Sequence, residues 1–398
     1  MSVILINLYK SWYIVTAVVI SFTTIFLLSG VFKTRGLIQS TIFIVTYYGY
    51  LLTTSIWAEF PKITIFYVFI ESIFISIFIL FYILSLNYTY EDIIRFFVYL
   101  VPPAVIIFIV SFIVDPNALR LGGNVLIILP FLSFFCVLLL IYSFSILNLI
   151  ILVPSCLLML MLGMSRAPIL ITGLGFFLMF LTITKRFKSR CKLITVFISS
   201  VLIITIAATT SQSVRLNIAK LIARTVYHDV AVDDQVVEAE KPDFVRWRIY
   251  DDARLLYKKN WLIGIGYMNF MPWFGNTYNY TSLNTRGKEI VGMNLHNIYQ
   301  TWALEGGLPC LIIVILLLWN YFKILIKKIR LSEKDFEKSY YKLLLIMMIC
   351  LLVEGLFHQI NQAPVFFILM GIVYALKYKT INRVLDKDNV RNLWKINI

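Results

Sequence analysis

Residues 63–86 read ITIFYVFIESIFISIFILFYILSL, an apolar run broken by one charged residue, Glu71. As a helix rising 1.5 Å per residue, a run of this length covers about 36 Å, enough to cross the ~30 Å hydrocarbon layer of a membrane.

Working outward, comparable runs fall at roughly 12–31, 37–56, 96–114, 125–143, 146–163, 168–184, 193–208, 308–326, 342–357 and 363–378. The reading is an all-α polytopic membrane protein with about eleven transmembrane helices, and ten to twelve if the breaks near Leu147 and Arg166 are drawn differently. Composition agrees: of 398 residues, 60% are hydrophobic and only 14% charged, with 31 Phe and 23 Tyr. A chain this apolar could not cover its surface in water. The run from Trp12 to Val31 is too long for a signal-peptide core and is read as a span.

The formal net charge of +15 does not point to nucleic acid, because the Lys and Arg lie between apolar runs rather than on a folded basic face. Of the five cysteines, Cys136, Cys156, Cys310 and Cys350 sit inside apolar stretches, while Cys191 lies in a basic loop. Their spacing fits neither a disulfide framework nor a zinc site, and they are read as small packing residues.

Cationic loops stay cytoplasmic. Lys33 and Arg35, the 185–192 segment, 323–342 and the tail from Lys377 to Lys395 form one such alternating set. The opposite set comprises Trp57–Pro61, Asp115–Asn124, Ser165–Arg166, 209–297 and the turn near His358. The chain therefore divides into N-terminal helices one to eight (1–208), a large periplasmic loop (209–297), three C-terminal helices (298–378) and a basic cytoplasmic tail (379–398). By this rule the opposite set of loops faces the outside or periplasm.

The long loop is not a simple connection. Val214, Ile218, Leu221, Ile222 and Val226 recur at helical spacing with Arg215, Lys220 and Arg224 between them, as in a basic helix at a membrane surface. A second helix is expected from Phe244 to Lys258, with Pro242 suited to its start and an acidic, solvated connector before it.

Four residues are candidates for chemistry. His296, in Asn294-Leu295-His296-Asn297-Ile298-Tyr299, stands where the loop re-enters the membrane. It is either a general base, with an unperturbed pKa of ~6.5, or an interfacial polar cap. Arg166 sits in a polar break between apolar runs, where a cation either serves a site or snorkels to the headgroups. Arg246 and Arg248 are two residues apart and point nearly oppositely on a helix. Arg248 has Asp251 and Asp252 at ion-pair spacing, leaving Arg246 the freer cation. Arg286 is either a ligand or a solvated loop residue.

Other patterns are weaker. Gly264-Ile265-Gly266 lacks the strand and third glycine of a dinucleotide fingerprint and reads as a turn. Asp386-Lys387-Asp388 has the spacing of a metal–nucleotide motif, but it lies in a lysine-rich tail, so no metal is expected. Glu71 and Glu354, inside spans, are what a proton or ion path would use.

Taken in order, several patterns resemble the O-antigen ligase and O-antigen polymerase family of bacterial membrane enzymes. Ser165-Arg166-Ala167 is similar to its Ser-Arg-Gly turn, with Ala167 in place of glycine. Arg246 with Tyr250, then Asn260-Trp261-Leu262-Ile263-Gly264-Ile265-Gly266-Tyr267, resembles its arginine, aromatic and Gly-x-Gly sequence, although Trp261 stands where proline is common. Leu295-His296-Asn297-Ile298-Tyr299, Glu305-Gly306-Gly307-Leu308 and Ser55–Pro61 also fit. The resemblance implies transfer of a glycan from a polyprenyl (undecaprenyl) diphosphate carrier to an acceptor hydroxyl at the periplasmic face, without metal or other cofactor. By it, Arg166, Arg246 and Arg286 would bind the diphosphate and His296 would serve the attacking hydroxyl. The acceptor would be lipid A-core oligosaccharide in a ligase or a second lipid-linked repeat unit in a polymerase. A flippase or ion-coupled transporter is the reading from another class. The expected partners are these glycolipids and membrane lipids, not nucleic acid.

Overall fold

A computed structural model describes residues 36–99, 123–142, 166–183, 244–278, 297–356 and 364–379, with isolated positions over 191–219, four short strands and Leu295 besides. The expected spans at 12–31 and 146–163, and the tail from 380, lie outside the described residues.

Where no water can satisfy backbone N–H and C=O groups, a chain pairs them within its own helix, and the apolar runs do so here. Helix α1 is Leu37–Thr53, α2 Pro61–Glu71 and α3 Ile73–Asn87. A helix at 90–99 is α4, followed by α5 (Gly123–Tyr142) and α6 (Arg166–Thr182). After the loop helices α7 (Phe244–Asn260) and α8 (Phe270–Tyr278) come α9 (Gly307–Leu331), α10 (Asp335–Glu354) and α11 (Pro364–Leu376). By length and composition, Pro61–Asn87 and Gly307–Leu331 are long and apolar enough to cross a membrane, and Leu170–Thr182 and Pro364–Leu376 are shorter apolar helices.

Close packing needs small residues where backbones meet. Gly371 of α11 faces the Phe78 carbonyl and Tyr82 amide of α3, where a methyl group would collide. Gly175 of α6 likewise makes room for the ring of Phe134 on α5. Phe74 stacks on Phe367 at 5.0 Å and Phe97 on Phe135 at 4.7 Å. Cys136, Cys310 and Cys350 are buried packing residues, as read from sequence, whereas Cys191 is exposed.

The helix ends form two levels. At one, Lys379 Nζ donates to the Tyr88 carbonyl, Tyr142 to the Asp335 carbonyl and Lys342 to that of Thr182. The cationic segment of α9 and α10 ends here. At the other level Tyr50 donates to the Gly306 carbonyl and Ile298 N–H to that of Gly355. The loop helices attach there.

Two features of the loop differ from expectation. Val230–Val232 pairs antiparallel with Gln235–Val237, so part of the acidic connector is paired strand. Thr281–Leu283 pairs with Glu289–Val291, and Arg286 belongs to the connection between these strands. The expected helix 214–227 lies largely outside the described residues. Helix α7 ends at Asn260, two residues beyond the expected Lys258.

Candidate functional site

The segment from Asn297 to Gly307 is the pivot of the loop end. The Asn297 carboxamide oxygen accepts from the N–H groups of Tyr299 (3.0 Å) and Gln300 (3.2 Å), capping a new helical turn, while its Nδ2 donates to the Leu356 carbonyl. Tyr299 donates to the Leu352 carbonyl at 2.6 Å, and Trp302 Nε1 to the Tyr47 hydroxyl at 3.2 Å. Asparagine at this position thus starts the helix and also binds it to the end of α10. Thr301–Glu305 then widens into a π turn, closed by Gly306 N–H on the Thr301 carbonyl. Such local widening is frequent at functional sites.

The Gly264-Ile265-Gly266 turn lies directly on this segment. Ile265 N–H donates to the Leu304 carbonyl (2.9 Å) and Gly266 N–H to that of Glu305 (3.1 Å). Gly264, at φ +75°, abuts the Glu305 carbonyl and the Gly307 amide, so a side chain at either glycine would separate the strands of backbone. The chain folds back here, as the sequence indicated.

Beyond the turn the loop plugs into α1 and α2. Tyr267 N–H donates to Thr54 Oγ1, Thr64 Oγ1 donates to the Tyr267 carbonyl, and the Tyr267 hydroxyl donates to Glu71. Asn269 Oδ1 accepts from Phe60 N–H at 2.7 Å, and its Nδ2 donates to Thr64. Glu71 is therefore an anchor for the loop. Sequence reasoning missed Tyr267, Asn269, Thr54 and Thr64; the available signal was the Ser55–Pro61 stretch, read only as a motif.

Glu305 is 2% exposed, and its Oε1 accepts from Phe270 N–H, the first amide of α8. A carboxylate at a helix N-terminus is favourably placed, yet burial outweighs this and pushes Glu305 up to about 7, with the Phe270 and Met268 amides pulling it back. Glu305 thus joins the lead-in to α9 with the loop helix.

On α7, Ile249 and Ala253 are buried and Leu256 and Asn260 half-buried, a stripe at helical spacing. With Phe270, Phe274, Leu295 and Leu304 this stripe makes the loop's own apolar core. Position 246 continues the stripe by one turn, whereas Arg248 is exposed. The expected pairing of Arg248 with Asp251 and Asp252 is corrected. Its guanidinium lies 4.0 Å from the centroid of the Tyr278 ring, and Tyr278 donates to Asp252 Oδ1 at 3.0 Å. The aromatic ring, donated by α8, outcompetes a solvated ion pair on one helix.

Arg166 opens α6 at the loop-end level. Helices α6 and α10 run antiparallel, with Lys342 against Thr182 and Cys350 against Ile171. Counting from the latter pair, Glu354 is about 6 Å up α10 and Arg166 about 7.5 Å up α6, so the two positions share one height. Glu354 is buried on the face that Cys350 presents to α6. His296 and Arg286 lie outside the described residues, although Leu295 is packed against α7 and Asn297 is clamped to α10 on either side of His296.

Beside the glycine turn is a cleft of about 270 Å³, lined by Trp57, Glu59, Asn260, Ile263, Gly264 and Trp273 among others.

Residues 149–315 match the model of the family described as O-antigen ligase. The match contains Arg166, Arg246, Arg286, His296 and Glu305 and ends within α9. No curated protein matches the chain.

Proposed function

We propose, from the match of residues 149–315 to the family described as O-antigen ligase, that the chain transfers a glycan from a polyprenyl diphosphate carrier to an acceptor hydroxyl at the outer face of the bacterial inner membrane. The acceptor in this reading is lipid A-core oligosaccharide. The observation that supports it is that the Gly264 turn seats the end of α7 on the Leu304–Gly307 segment, while Leu295 packs into the core of α7 and Asn297 is bonded to the end of α10, the helix along which α6 runs.

The departing diphosphate gathers negative charge. Arginine's planar donors stabilise such charge where water is partly excluded, the role proposed for Arg166 and Arg246, with Arg286 from its hairpin. No metal or nucleotide takes part. His296 takes the proton of the attacking hydroxyl as the new glycosidic bond forms and the carrier's sugar–phosphate bond breaks. The spans, about eleven in this reading, provide an apolar groove for the polyprenyl chain.

A polymerase would run the same donor chemistry with a second lipid-linked repeat unit as acceptor. A flippase or ion-coupled transporter would draw on Glu71 as a carrier of charge, but Glu71 accepts the Tyr267 hydroxyl and holds the loop. The test is the glycan profile of cells lacking the gene, complemented with wild type, Arg166→Ala or His296→Ala. Accumulated lipid-linked polymer that never reaches the core establishes the ligase. Single repeat units without longer chains establish the polymerase. Full transfer by His296→Ala removes the base, and an unchanged profile in the deletion removes the enzyme.

A further inference from the structure

The cleft beside the glycine turn belongs to none of the roles above, and its lining is distinctive. Trp57, 36% exposed, and Glu59 come from the turn between α1 and α2, Trp273 from α8, and Asn260 from the end of α7. Ligand pockets pair apolar and aromatic walls with a few placed polar groups, and this one sets two indoles against a carboxylate and a carboxamide. Asn269 also lines it but is spent internally, its Oδ1 on Phe60 N–H and its Nδ2 on Thr64 and the Tyr267 carbonyl. Asn260 Nδ2 donates to the Leu256 carbonyl while its Oδ1 is an acceptor, and Glu59 is exposed and can only accept when ionised. The available groups are therefore mainly acceptors, suited to a neutral ligand rich in hydroxyl donors. They do not suit an anion.

Indole faces complement the C–H face of a sugar ring, a flat apolar surface edged with hydroxyls. The rim supplies the second argument. Ile56, Trp261, Leu262 and Ile263 are exposed around the same end, the pattern of groups seated at a membrane interface, so a ligand in the cleft lies close to the headgroups. Its floor, Gly264 and Ile265, is backed directly by Leu304 and Glu305. From Leu304 back to Asn297 is seven residues of helical backbone, about 10 Å. A short oligosaccharide spans that distance.

We infer that this cleft is a glycan-binding subsite, holding sugar units of a lipid-anchored oligosaccharide several rings from the reacting end, with Trp57 and Trp273 as stacking platforms and Glu59 and Asn260 as hydroxyl acceptors. The inference rests on the transfer reading for its substrate class. The carrier-linked glycan and the acceptor glycolipid share this chemistry, and the test separates them.

The full chain in lipid nanodiscs is titrated with two end-labelled probes and read by fluorescence anisotropy: the oligosaccharide released by mild acid from the carrier lipid of producing cells, and the deacylated acceptor glycolipid. One probe binds saturably, identifying the source. Trp57→Ala and Glu59→Gln, both exposed changes, each weaken it about fivefold or more. Trp273 packs on Phe270 at 5.8 Å, so Trp273→Phe is used there, with melting temperature as the control for folding. Arg166→Ala binds like wild type yet fails in transfer. Wild-type binding by neither probe, or unchanged binding in Trp57→Ala and Glu59→Gln, overturns the subsite. Transfer intact in Arg166→Ala with binding lost in Trp57→Ala sinks the catalytic reading and leaves the subsite standing.

Discussion

Tyr267 donates its hydroxyl to Glu71 Oε2 at 2.6 Å across 196 residues of sequence, with both side chains buried. A hydrogen bond to a carboxylate in a dry setting is the strongest single tie between the loop and α2. Tyr267→Phe should lower stability by about 1.5–3 kcal/mol, while Glu71→Gln, which keeps an acceptor, should cost less. Thermal unfolding of the detergent-purified protein checks the order. Equal and negligible effects would mean that the Thr54, Thr64 and Asn269 bonds hold the loop without it.

This tie also shows where sequence reading stops. Apolar runs such as 63–86 announce helices because the bilayer imposes a length on each segment separately, and α7 was legible from Pro242 at its start and the acidic connector before it. Glu71 in the same run carries no mark of its partner, so it reads as a charge path until Tyr267 is in place. Arg248 was misread for the same reason: its neighbours at i+3 and i+4 were visible, but the Tyr278 ring on another helix was not. The first strand pair was legible in principle, since Val230-Ala231-Val232 and Gln235-Val236-Val237 flank a two-residue Asp-Asp link. Three-residue strands are too short for alternation to register. Of the candidate site, the Asn297 cap and the glycine turn follow from residue type, whereas the Glu305–Phe270 contact follows only from the fold.

Gly264 has no room for a side chain and holds φ +75°. Gly264→Ala therefore incurs the cost of the left-handed conformation, roughly 1–2 kcal/mol, and pushes against the Glu305 carbonyl as well. The expected result is a protein that inserts in the membrane but has a protease-sensitive loop and little transfer. Limited proteolysis of membranes reads this directly, and a wild-type cleavage pattern would show that the turn tolerates displacement.

Glu305, just ahead of α9, supplies a pH dependence. Its folded pKa of about 7 lies above the ordinary carboxylate value because burial disfavours the charge. The folded state holds the proton more tightly than the unfolded chain, so this contribution is complete below about pH 4.5 and is lost as pH rises to about 7. Glu305→Gln keeps an acceptor for Phe270 N–H and carries no charge. Its melting temperature relative to wild type should rise between pH 4.5 and 7 and level off above that. A difference independent of pH would show that the carboxyl does not titrate in this window.

The two arginines of α7 should separate function from packing. Arg248 is exposed and stacks on Tyr278, a contact worth about 0.5–1 kcal/mol. Arg248→Ala should loosen the contact between α7 and α8 slightly and keep transfer. Position 246 lies one turn before Ile249 on the helical spacing of Ile249, Ala253 and Leu256, away from the position of Arg248. If Arg246 stabilises the leaving diphosphate, Arg246→Ala should cost about a hundredfold or more in transfer rate, with melting nearly unchanged. Arg246→Lys should restore little, because a point charge lacks the paired donors of a guanidinium. Rates measured with carrier-linked glycan in membranes decide between them. Loss of transfer in Arg248→Ala with retention in Arg246→Ala would place the working cation on the opposite side of the helix and require the substrate to approach over Tyr278.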